Sequence, residues 1–227
     1  MLADFPPRGK EKELNEMFWN NLFDLPGPRR PNPEPTPASK FTGQLVRGNL
    51  EIQTAYFTIR NVRRFFSRSP RGLVNRRSDY LGFVVHAYLN EIYILEQRMC
   101  AYLKKLPKDA AKNSEVRNNL EKIRPDLLKV VKDAFKGING TRGAHVHEQR
   151  FCDEGIDRLR TFELLNGFPK HFPPLEHFYR SELCRVRKSW DEKFAANEIA
   201  VKALMDHYYD VILAAVFKTD GRLRSCL

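Results

Sequence analysis

A chain of 227 residues, 42% hydrophobic and 30% charged, holds enough apolar material for one large core, which excludes a disordered polymer. Its net charge of +11 points to polyanionic partners, nucleic acid or an acidic membrane surface, with a surplus that serves solubility as the plain alternative. No stretch approaches the ~18 uninterrupted apolar residues of a membrane span; the best, Leu81 to Leu95, is broken by His86, Asn90 and Glu91.

Residues 10 to 24 predict a short amphipathic helix with Leu14, Met17, Phe18 and Leu22 on one side. Six prolines follow between residues 26 and 37; they remove backbone donors and favour extended polyproline geometry, so the stretch is a linker or strap. Residues 1–42 therefore read as an N-terminal proline-rich arm, packed on its own subunit or reaching to another, and residues 43–227 as a helical-bundle domain.

Within that domain, Phe57, Ile59 and Val62 belong to a first core segment ending near Phe66. A second helix follows a Ser78-Asp79 cap, with Leu81, Val85, Tyr88, Ile92, Leu95, Met99 and Tyr102 at spacings of three and four, and should stop before Pro107. A third carries Val116, Leu120, Ile123, Leu127, Val130, Val131 and Phe135; Pro125 should kink or divide it, and Gly137 and Gly140 should end it. Phe151, Leu159, Phe162 and Leu165 mark a fourth that stops by Gly167. Pro173-Pro174 opens the longest pattern, from Phe178 through Leu183, Val186, Trp190, Phe194, Val201, Leu204, Tyr208 and Val211 to Ala215, which implies a helix or helix pair of about forty residues. No alternating strand pattern or hairpin turn is present. The expected class is all-α, an up-and-down helical bundle with short connections.

Cys100, Cys152, Cys184 and Cys226 are scattered, with no close pair, which suits a reducing compartment. Asp4, Pro6, Pro7 and Arg8 stand where an export signal needs an apolar core, so a cytoplasmic protein is expected.

Two segments carry candidate chemistry. Residues 60 to 77 hold Arg60, Arg63, Arg64, Arg68, Arg71, Arg76 and Arg77 and no acidic residue. Arginine offers a rigid donor fork that suits phosphate, so this segment is the candidate nucleic-acid-binding element; a solvated charged surface is the plain alternative. Phe65 and Phe66 could stack on bases or join the core. The second segment is Gly140-Thr141-Arg142-Gly143-Ala144-His145-Val146-His147, read as a glycine-framed turn at the mouth of the fourth helix. There a fixed cation could hold a phosphate while an imidazole moves a proton, with exposed backbone N–H groups adding anion affinity. Six histidines and an arginine at about one position in ten predict roughly two Arg-x(4–6)-His pairs by chance, so context and not spacing carries this reading.

A helical bundle with Arg142-x4-His147 entering its last core helices resembles the HEPN superfamily, over roughly residues 45 to 217. The resemblance implies a HEPN-like bundle acting on RNA, a metal-independent endoribonuclease of toxin or host-defence type. In that reading Arg142 stabilises the phosphorane-like transition state and His147 acts as base or acid. It further implies a homodimer whose composite cleft takes one motif from each subunit, and an antitoxin or other protein partner. Gly143 stands where the family commonly has a polar residue, which keeps open a non-catalytic module that binds nucleic acid or protein through its basic surface. His145, a supporting or external residue, and Glu91, Gln149 and Arg150 are candidate supporting groups, the last three reading first as solvated or structurally paired side chains. His145, His147, Cys152 and Asp153 lack the second ligand cluster a metal site needs, and no nucleotide-loop or hydrolase motif occurs, so no metal and no cofactor are expected.

Overall fold

The computed structural model describes residues 36–67, 76–112, 114–147, 153–166 and 173–224; of residues 139–147 only the helical backbone is described. The candidate helix at 10–24 and the proline-rich segment up to Pro35 lie outside the described residues. The rest is all-α, as expected: α1 (Pro37–Ser67), α2 (Arg77–Asp109), α3 (Glu115–His147), α4 (Glu154–Asn166) and α5 (Pro173–Val216). Beyond α5, an isolated bridge pairs Phe217 with Leu223 around a turn in which Gly221 takes a left-handed φ of 78°.

The first helix begins earlier than its apolar pattern suggests, at Pro37. Proline is favoured at a first helical position because its missing N–H would have no helical partner there. Helix α1 runs antiparallel to α2: the Tyr102 hydroxyl donates to the Leu45 carbonyl at 2.9 Å near one end, and that of Tyr80 to the Phe65 carbonyl at 2.7 Å near the other. The Tyr102 ring of α2 lies directly on the α1 backbone at Gly48, where a Cβ would stand 2.2 Å from it.

Helix α2 is the spine of the bundle, packed on α1, α3 and α4 and touching α5 through its inward aromatics. Its predicted stripe is buried from Leu81 to Tyr102. Phe194 of α5 closes the core against Tyr88 of α2 at 4.2 Å between ring centroids, and against Phe66 of α1 at 5.0 Å edge-to-face. Each such ring contributes roughly 2–3 kcal/mol by burial. The Tyr208 hydroxyl, buried in the same core, donates to the Met99 carbonyl at 2.9 Å. The long pattern near the C-terminus forms one helix of 44 residues.

Several local expectations are overturned. Helix α2 starts at Arg77, and Ser78 is not its cap. The backbone N–H of Ser78 instead donates to Oε1 of Glu163 at 3.0 Å, so a carboxylate from α4 closes this helix start from across the core. Helix α2 runs through Pro107 to Asp109, and of the two outcomes expected at Pro125, division does not occur, because α3 is one helix. Pro125 is on the exposed side, where water can satisfy the carbonyl its ring leaves without a partner. Helix α3 also continues past Gly137 and Gly140 to His147. Among the described glycines only Gly221 adopts the left-handed geometry of a helix-ending cap, so Gly137 is carried through in helical form. Phe57, Val130, Leu165 and Phe178, expected in the core, are exposed.

Candidate nucleic-acid interface

The arginine segment begins on the last two turns of α1, which carries Lys40, Arg47, Arg60, Arg63 and Arg64 against a single acidic residue, Glu51. The segment lacks acids of its own, but the fold supplies them. Asp191 and Glu198 lie two turns apart on α5, and α5 packs along α1. Nε of Arg63 donates to Asp191 at 3.2 Å and its Nη1 to Glu198 at 2.8 Å, while Nε of Arg60 pairs with Glu198 at 2.9 Å. The Asp191 hydrogen bond outweighs partial burial and raises the Arg63 guanidinium above its usual pKa, with Glu198 adding in the same direction. The reading of residues 60–77 as lacking counter-charge therefore holds only along the chain.

These groups line an open cleft of about 410 Å³, completed by Arg64 and Ser67. Arg60 also stands 5.9 Å from the Tyr56 ring centroid, a cation–π distance. Arg64 is exposed, with no ion pair among the described residues. At the start of α2, Arg76 is exposed and Arg77 half-buried; the Tyr80–Phe65 hydrogen bond joins this start to the end of α1. Arg68 and Arg71 lie outside the described residues. Of the two phenylalanines, Phe66 is buried in the core and Phe65 is 62% exposed, so only Phe65 remains available for stacking.

The second candidate segment is helical and not a turn. Because residues 140–147 continue α3, their N–H groups enter the helical ladder and are not presented to an anion. Positions 142 and 147 stand about 140° apart around the helix axis, and positions 145 and 147 about 160° apart by the shorter way round. One copy of α3 therefore does not carry both members of the pair on one face. Nothing further is described for the Arg142, His145 and His147 side chains, and Gln149 and Arg150 lie outside the described residues. Glu91 is half-buried on α2.

The start of α4 is not an open anion site either. Asp153 caps it, its Oδ1 accepting the Ile156 N–H at 3.0 Å and its Oδ2 the Trp190 indole N–H at 3.1 Å. The starts of α2 and α4 are both closed by the protein's own carboxylates, Glu163 and Asp153. Among the described residues no group of three or more His, Cys, Asp and Glu side chains could hold a metal ion, and no helix is long and apolar enough to cross a membrane.

Sequence reading missed Asp191, Glu198 and Glu163. The first two were open to inspection as carboxylates seven residues apart on one helix face. Glu163 gives no local signal, because its partners Ser78 and Tyr179 come from two other helices. The chain matches no protein-family model, no curated protein and no solved structure.

Proposed function

We propose that this protein is a cytoplasmic RNA-binding helical bundle whose contact surface is the end of α1 and the start of α2. The observation that carries the reading is the cleft in which Asp191 and Glu198 fix Arg60 and Arg63 beside the exposed Arg64. Anchored guanidinium groups lose less side-chain freedom when they meet a phosphate, and their remaining N–H groups project with a set geometry. Helix α1 keeps a surplus of positive charge along its length, which suits a polymer of phosphates better than a single anion.

Metal-independent cleavage in the manner of the HEPN resemblance extends this proposal to Arg142 and His147. The resemblance implies a composite site made by two copies, one histidine serving as base and the other as acid. The continuous helix through Gly140 and Gly143 favours the second reading, a module that binds without cutting, because it removes the turn and its free N–H groups from the phosphate site. An antitoxin-like protein partner belongs to the cleaving reading alone.

Labelled single-stranded RNA incubated with the protein in EDTA separates the two. Product that disappears in His147→Ala supports cleavage, and product unchanged in that variant removes His147 from the chemistry. Binding without product, weakened about uniformly across sequences by Arg64→Ala and Arg76→Ala with a shallower salt dependence, supports the module. Absence of binding at low salt overturns both.

A further inference from the structure

Helix α1 presents a second feature that phosphate contacts do not explain. Phe57 is 54% exposed and Phe65 62% exposed, on the same helix as the anchored arginines. Exposed phenylalanine forgoes the burial that stabilises a core ring, and two of them framing two cationic turns offer their faces to a partner with an apolar surface. They are eight residues apart, so they are separated by about 12 Å along the axis and about 80° around it. That length matches about three stacked nucleotides at roughly 3.4 Å each. Between them lie Arg60, Asn61 and Arg64, with Phe57, Asn61 and Arg64 recurring at intervals of four and three along one face. A third ring, Phe83, 71% exposed, stands one turn beyond Tyr80 on α2, whose hydroxyl bonds the Phe65 carbonyl.

We infer that the α1 surface from Phe57 to Phe65 is a stacking platform selecting unpaired RNA, with bases on the phenylalanine rings and phosphates on Arg60 and Arg64. This inference rests on the RNA-binding reading and names the form of RNA it takes. In a duplex every base face is covered by its neighbour, so duplex RNA offers phosphates to the arginines and nothing to the rings. An unpaired strand offers both, and base–aromatic stacking tolerates any sequence because every base has a π-face. The charge of α1 argues against a second copy of this chain as occupant. A two-fold pairing through this face would set Arg60, Arg63 and Arg64 of each copy close together, with Asp191 and Glu198 already engaged by Arg60 and Arg63 and Arg64 left unoffset.

The test is fluorescence anisotropy of the full chain with an unstructured single-stranded RNA and with the same strand annealed to its complement, at one salt concentration. Phe57→Ala, Phe65→Ala and the double variant are compared with Phe65→Leu, which keeps the apolar bulk and removes the ring face. Because both rings are exposed, circular dichroism should be unchanged in all of them. The expected result is single-strand binding at least about tenfold tighter than duplex binding, lost by about tenfold per ring removed, with duplex affinity unaltered. Phe65→Leu should behave like Phe65→Ala. Equal affinity for the two forms, with no effect of the phenylalanine changes, leaves RNA binding standing and overturns the platform. Failure to bind either form at low salt overturns the RNA reading itself and the platform with it. Sedimentation velocity supplies the remaining outcome: a dimer made monomeric by the double variant, with RNA affinity unchanged, assigns the face to self-association and overturns the inference.

Discussion

Replacing Glu163 with alanine should destabilise this bundle more than a half-buried carboxylate on a short helix would ordinarily do. Its Oε1 accepts the Ser78 backbone N–H at 3.0 Å and the Tyr179 hydroxyl at 2.9 Å, while Oε2 accepts the Ser78 hydroxyl. Ser78 is fully buried and Tyr179 nearly so, which leaves all three donors little water to turn to once the acceptor is gone. The lost cap on α2 is worth about 1 kcal/mol. Each stranded hydroxyl adds about 1 kcal/mol, at the low end for a buried donor because alanine opens some space for solvent. The total is about 3 kcal/mol, and at ~2–4 °C per kcal/mol for a body of this size the Tm should fall by about 6–12 °C. Glu163→Gln keeps one good acceptor and should lose about half as much. Urea unfolding at neutral pH, followed by circular dichroism, measures the difference directly. A loss below about 1 kcal/mol for the alanine variant would refute the idea that α2 is capped from across the core.

Three other predictions test different parts of the fold. A Cβ at Gly137 meets nothing within 4 Å; with helical backbone there, Gly137→Ala should stabilise the protein by up to about 1 kcal/mol. A helix ending at that glycine would give a loss instead. Gly48→Ala, whose Cβ would collide with the Tyr102 ring, should cost about 1–3 kcal/mol in the same denaturant assay. The third concerns pH: burial is the main cause that raises Tyr80, Tyr88, Tyr102, Tyr179, Tyr208 and Tyr209 above the usual 10.0, Tyr88 and Tyr209 up to about 12. The folded state favours the neutral phenol, so this stability is fully present below pH 10 and is lost as pH rises through 10 to 12 and beyond. The urea midpoint should therefore drop between pH 8 and pH 11, with the phenolate absorbance of these rings rising only as the chain unfolds. Ionisation of all of them near pH 10 with the fold intact would contradict it.

Periodicity by itself determined the all-α class, most of the inward face of α2, and the long C-terminal helix, because a helix bounded by solvent can bury only one side and must repeat apolar residues every three or four positions. Apolar identity does not say whether a neighbour reaches a given position. Phe65 and Phe66 are adjacent and chemically identical, yet Phe66 meets Phe194 in the core and Phe65 faces solvent, a choice made by where α5 packs. Local stop signals were overridden for a related reason. Pro107, Pro125 and Gly137 each weaken a helix by a few kcal/mol at most, and around Pro125 the buried Leu120 and Leu127 hold α3 against the core on either side. The partners of the basic segment could not come from any local window: Arg63 and Asp191 are 128 residues apart in the chain and meet only because α1 and α5 lie side by side. Charge is a property of the sequence; which charges are neutralised, and which remain exposed for a ligand, is decided by the helix packing.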